Sequence, residues 1–231
     1  ALPRSSPLRK LVYSTLLQLA ITNDDFNVLQ LSKSEISKWL SEWEIPSDEK
    51  AEFLHTLADA YSKIGQACVL PLPPAFSSKI VDQSLTLLSN LNSAQSYQYS
   101  FLRVQKLPAT SDAAKSAAAE LIADALRLPD VFDFDALYKL DAVIAIKDHE
   151  LFSLLQVFLT GGLTEYTAWE SSNTGALEKY SGSRTSMDTL NTHAPTDVDA
   201  KQLQRKIRLL TLATLSSQFV GQSLPYPKIA E

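Results

Sequence analysis

Three histidines (His55, His149 and His193) and one cysteine, Cys68, are the nitrogen and sulfur ligands this chain could offer a metal ion. They lie far apart in sequence, whereas structural zinc needs four converging ligands that are usually closely paired. No metal site is therefore expected. His149 beside Glu150 is the nearest approach to a catalytic acid–base pair, but consecutive helical positions point in different directions. A capping or solvated role is expected instead. The acidic group Asp130, Asp133 and Asp135 lacks the glycine and distal glutamate of a calcium loop, so capping and solvation are expected there too. Gly161-Gly162 is the one glycine pair, and no phosphate-cradling loop appears. The stretch "SGSRTS" has the wrong spacing for a nucleophile elbow. No catalytic, metal-binding or cofactor-binding residue is assigned, and no enzyme or small-molecule substrate is expected.

What remains is the chemistry of surfaces. Lys201, Arg205, Lys206 and Arg208 form a basic set that could meet RNA phosphate, a protein partner or water. Leu209, Leu212 and Leu215 follow in "QLQRKIRLLTLATLSSQ" (Gln202–Gln218), a segment apolar on almost every side beyond its polar first turns. A helix of that kind must be covered all round, so these three leucines are candidate partner contacts, expected to be more exposed in this chain than their composition suggests. Trp39, Trp43 and Tyr61 fall at helical spacing and read either as core or as a tryptophan-lined groove. Formal net charge is −5, against a general nucleic-acid binder. It is uneven: Asp112–Glu170 carries −7 and Asp199–Glu231 carries +3, which suggests a partner-binding surface. The single cysteine fits a reducing compartment, and neither a signal peptide nor a membrane-spanning run is expected.

The elements that would position these residues are helical. Glycine is scarce, with 6 residues in 231, and period-2 alternation is nearly absent. Ser32 with Glu35 reads as a capping box, followed by Ile36, Trp39, Leu40 and Trp43 at helical spacing. Pro46 breaks the chain, and Ser47 caps a helix carrying Phe53, Leu54, Leu57, Ala58, Tyr61 and Ile64 on one face. "VLPLPP" (Val69–Pro74) is a stiff connector, and a third helix is expected over Phe76–Leu91. Thr110 or Ser111 caps an alanine-rich helix with the stripe Ala114, Ala118, Leu121, Ile122 and Ala125. Asp148 is expected to cap "HELFSLLQVFLT", Gly161-Gly162 to stop it, and "LTEYTAWESS" to form one more short helix. Tyr180–Val198 reads as a long loop ahead of a last helix starting near Asp199. The expected fold class is all-α: a helical-repeat stack over 1–198, then a linker helix over 199–231.

Three stretches carry a family resemblance. "KIRLLTLATLSSQ" (Lys206–Gln218) resembles the helix that opens the winged-helix half of a PCI domain, the module shared by the proteasome lid, the signalosome and eukaryotic translation initiation factor 3. "ISKWLSEWEIPSDEKAEFLHTLADAYSK" (Ile36–Lys63), with its two tryptophans four apart, resembles the initiation-factor members. So does Ala125–Trp169, with Pro129, Phe132, Phe134 and Asp135 in a P-x-x-F-x-F-D core. The resemblance implies a right-handed, PCI-type repeat stack running into the first elements of a winged helix over 199–231. "SLPY" would be its first strand, and Pro227 would open its second helix. It further implies a non-catalytic cytoplasmic scaffold subunit of the initiation factor, in contact with other PCI subunits and, through the complex, with the small ribosomal subunit. A PCI subunit of the signalosome or lid, and an RNA-binding module built on the basic helix 201–208, are the alternatives.

Overall fold

Ser32 and Glu35 show how local chemistry sets a helix start. The Ser32 hydroxyl accepts from the Glu35 amide at 3.3 Å, while the Glu35 carboxylate accepts from the Ser32 amide at 3.3 Å. Two amides that the first turn would otherwise leave without acceptors are thereby satisfied. This computed structural model describes residues 5–23, 32–67, 79–173 and 200–220, and the helix they open is one of ten among the described residues. They are α1 Leu8–Thr22, α2 Lys33–Glu42, α3 Ser47–Ala67, α4 Lys79–Lys106, α5 Asp112–Arg127, α6 Phe134–Tyr138, α7 Asp141–Ile144, α8 Glu150–Thr160, α9 Leu163–Ser172 and α10 Ala200–Ser217. Among the described residues there is no strand, so the fold is all-α as expected. The chain divides into two compact units: Ala1–Leu121 with Leu140–Ala145, and Ile122–Lys139 with Ile146–Glu231. Cys68, the Val69–Pro74 connector, the Tyr180–Val198 loop with His193, and the "SLPY" strand with Pro227 all lie outside the described residues.

In the first unit the dominant pairing is α3 against α4. Ser96 of α4 donates to the buried Ala58 carbonyl at 2.7 Å, and Tyr61 and Tyr99 bring their rings within 5.4 Å. The α3 face read from the sequence is the buried one: Phe53, Leu54, Leu57, Ala58 and Tyr61 are core, with Ile64 packed against it. The tryptophans resolve as packing. Trp43 is buried edge-on to Phe53 at 5.2 Å, and Trp39 is half-buried, stacked on Tyr13 of α1 at 4.3 Å. Lys10 of α1 reaches Glu49 and Glu52 of α3 at 3.1 and 3.0 Å. The helix expected over Phe76–Leu91 instead continues as α4 to Lys106. The polar run "SNLNSAQSYQYS" hid that continuation, because its Ser and Asn favour turns by local propensity. Packing against α3 overrides the preference.

In the second unit α8 buries Leu151, Phe152, Leu154, Leu155 and Phe158. Its cap is His149, not Asp148: the imidazole Nδ1 accepts from the Leu151 amide at 3.2 Å. Gly161 ends the helix. A Cβ there would lie 2.8 Å from the Val157 carbonyl oxygen, which is backbone and cannot step aside. We expect Gly161→Ala to destabilise the second unit by about 1–3 kcal/mol, the usual range for forced overpacking. Urea unfolding followed at Trp169 checks this, and an unchanged midpoint would show that the helix end relaxes. Gly162 then opens α9 by donating its amide to the Glu165 carboxylate at 2.8 Å. The Glu165 and Gly162 amides hold that carboxyl below its ordinary range.

Candidate interaction face of the last helix

Helix α10 is placed by its own inward row. Leu203 and Ile207 are buried at 1% and 0% exposure. Tyr166 of α9 donates its hydroxyl to the Ala200 carbonyl at 3.4 Å, while Trp169 of the same helix donates its indole N–H to Ser153 of α8 at 2.8 Å. Helix α9 thus ties α8 to the start of α10.

Lys206 falls on this inward row, three residues after Leu203 and next to Ile207. It is 5% exposed, and its Nζ donates to the carbonyls of Ala125 at 2.7 Å, Leu128 at 2.6 Å and Leu126 at 3.4 Å. These carbonyls belong to the last turn of α5 and the residue after it, where the helix leaves acceptors unpaired and presents its negative end. The faces of Phe134 and Phe132 lie 5.0 and 5.4 Å from Nζ, inside cation–π range. Burial pushes the Lys206 pKa down to about 7, against an opposing pull from Asp130.

The four basic residues proposed as one RNA or partner contact are therefore not one set. Lys206 is corrected to an internal helix cap. Lys201, Arg205 and Arg208 are exposed and share one outward stripe at i, i+4 and i+7. The signal for Lys206 was present in the sequence: a lysine in register with Leu203, Ile207 and Leu210 sits on the apolar row, not the polar one.

Beyond Ile207 the helix opens to solvent. Leu209 and Leu212 are 46% and 43% exposed, and Leu215 is half-buried. Leu215 lines a groove of about 410 Å³ together with Leu210, Thr214, Phe132, Phe134 and Phe158.

The other candidate groups are occupied by structural roles. Asp133 caps α6 by accepting from the Ala136 amide at 3.3 Å, and Asp135 pairs with Lys139. His55 meets Asp59 at 3.6 Å one turn further along α3. Burial drives the Tyr61 and Tyr99 hydroxyls upward, away from proton exchange near neutral pH. Among the described residues no three His, Cys, Asp or Glu side chains converge as metal ligands would. Nor is any described helix long and apolar enough to cross a membrane.

The chain is 33% identical to eukaryotic translation initiation factor 3 subunit M of Aspergillus terreus over 85% of its length, and 31% identical to that of Neosartorya fischeri over the same share. Against subunit M of Phaeosphaeria nodorum it is 25% identical over 98% of its length. Over most of its length the chain is similar to part of subunit M. It spans 35% of the Aspergillus and Neosartorya proteins and 43% of the Phaeosphaeria protein. No protein-family model matches the chain.

Proposed function

We propose that the chain is part of a non-catalytic scaffold subunit of translation initiation factor 3, working in the cytoplasm as one member of a multisubunit complex. The observation that carries this reading is the agreement in name among relatives that match 85–98% of the chain. Those names favour the initiation factor over the signalosome and the proteasome lid, where the same kind of helical module occurs. The all-helical architecture suits a scaffold, since stacked helices offer edges and faces to partners.

In this reading the helices form a PCI-type stack, and α10 is the hinge into a winged helix. Leu209, Leu212 and Leu215 face its core or the winged helix of a neighbouring PCI subunit. Support comes from two leucines left more than 40% exposed on a helix whose inward row, Leu203, Lys206 and Ile207, is buried. The small ribosomal subunit would be reached through the assembled complex. Lys201, Arg205 and Arg208 remain exposed and keep the RNA-phosphate reading open for three charges, not four; steep loss of RNA binding with salt would be its mark. Sedimentation of cell extract through a sucrose gradient tests the main reading. A tagged chain should travel partly with small ribosomal subunits and shift to light fractions in high salt. Absence from small-subunit fractions at low salt would count against it.

A further inference from the structure

The inward row of α10 does not end at Ile207. Leu210, Thr214 and Gln218 continue it at steps of three, four and four, and all three line the groove of the second unit. The apolar part of that lining includes Phe132, Phe134 and Phe158, and Phe132 is 41% exposed. Asp133, Asp135, Thr160, Thr211, Thr214 and Gln218 in the lining are exposed as well, so the groove is open to solvent and a chain segment can lie in it. Its volume of about 410 Å³ falls within the range of clefts that hold ligands.

The polar atoms of the lining are mostly acceptors. Asp133 and Asp135 are carboxylates. The Thr160 and Thr211 hydroxyls donate their protons to the Gln156 and Ile207 carbonyls at 3.1 and 2.8 Å, which leaves only lone pairs for a ligand. Thr160 and Gly161 also belong to the end of α8, where the helix dipole is negative. No lysine, arginine or histidine lines the groove. Lys139 meets Asp135 in an exposed pair, which is weak. Lys206 approaches the Phe134 and Phe132 rings but is held by the Ala125 and Leu128 carbonyls.

We propose that this groove docks a short basic–apolar segment of a partner protein, with one or two large apolar side chains on the phenylalanines and an adjoining arginine or lysine on Asp133 and Asp135. Charge complementarity selects that occupant. An acidic or phosphorylated segment would set like charges together, and a purely apolar one would cover carboxylates without supplying donors. Arginine suits the site better than lysine, because its fork of donors matches a carboxylate. Leu209 and Leu212 are not in the lining, so the docked segment leaves them open for assembly. The inference rests on the groove and does not depend on the initiation-factor reading.

The test pans a random heptapeptide display library against the 231-residue chain, then measures synthetic copies of the enriched peptides by fluorescence anisotropy. The control is Asp133→Asn with Asp135→Asn. Asparagine still caps α6, and the lost exposed pair costs little, so the urea midpoint should hold. Enriched peptides should share a large apolar residue within two positions of an arginine or lysine. They should bind the control about fivefold to tenfold more weakly, the size expected for two partly exposed charge contacts. Thr214→Arg, which adds a cation to the lining, should weaken them similarly. No enrichment, enrichment of acidic sequences, or equal binding to parent and variants would overturn the proposal. Binding that appears only after Gly221–Glu231 is removed would assign the groove to the chain's own end instead. Binding lost as the chain dimerises at higher concentration would assign it to a second copy.

Discussion

Replacing Lys206 by alanine lowers the stability of the second unit by about 3 kcal/mol. Several losses act together. The carbonyls of Ala125, Leu126 and Leu128 lose their shared donor while remaining covered, and a buried acceptor without a partner costs about 1–3 kcal/mol. The methylene stem also leaves a gap beside Phe132 and Phe134, adding a cavity contribution. Against this stands a gain, because an amine whose pKa is driven down to about 7 by burial is itself held at a desolvation cost. We expect the losses to win, since three acceptors depend on one donor. Lys206→Met keeps most of the stem and separates the two parts, with an expected cost of about 2 kcal/mol from the lost hydrogen bonds alone.

The depressed pKa adds a pH signature with a definite sign. The unfolded chain holds the lysine proton up to its ordinary range near 10.5, whereas the folded unit releases it around 7. Between those values the unfolded state binds more protons, so stability rises with pH, by at most about 1.4 kcal/mol per pH unit. Both variants should lose that slope. Urea unfolding at pH 7 and pH 9, read at Trp169 with Trp39 and Trp43 replaced by phenylalanine, measures both effects. A Lys206→Ala variant within 0.5 kcal/mol of the parent would show that the carbonyls find water as readily as lysine.

The double substitution Leu209→Asp with Leu212→Asp should behave in the opposite way. Both positions are nearly half exposed, so the stability of this chain should change by no more than about 0.5 kcal/mol, as for ordinary surface sites. Assembly should suffer instead. Two carboxylates placed at the centre of an apolar contact must be desolvated without partners, a cost of several kcal/mol. Recovery of partner subunits with the tagged protein should fall at least tenfold, while Arg205→Ala with Arg208→Ala changes it less. Normal recovery with the double aspartate would remove the leucine face from the assembly surface.

Much of this architecture could be read from residue pattern, and the parts that could not have identifiable causes. The Ser32–Glu35 box, the Ser111 cap, and the alanine stripe of α5 follow from local hydrogen bonding and period, and each appears where the pattern placed it. Helix α1 went unread because its apolar residues cover two sides and give no clear single stripe. The long run of α4 went unread because its second half is held by α3, a partner far away in sequence. By charge alone Lys206 belongs with its basic neighbours, because charge ordinarily means exposure. A lysine can instead be buried when a helix end offers it enough carbonyls, and that acceptor set lies some 80 residues away along the chain. The exposed leucines of α10 were legible, since a helix apolar on all sides announces more contacts than one unit can supply.

The most direct test of the scaffold reading is affinity purification of the tagged chain from cell extract at low salt, with the retained proteins identified by mass spectrometry. Other subunits of translation initiation factor 3 and proteins of the small ribosomal subunit should dominate the specific fraction. Retention of signalosome or proteasome-lid subunits, with no small-ribosomal-subunit material, would contradict it.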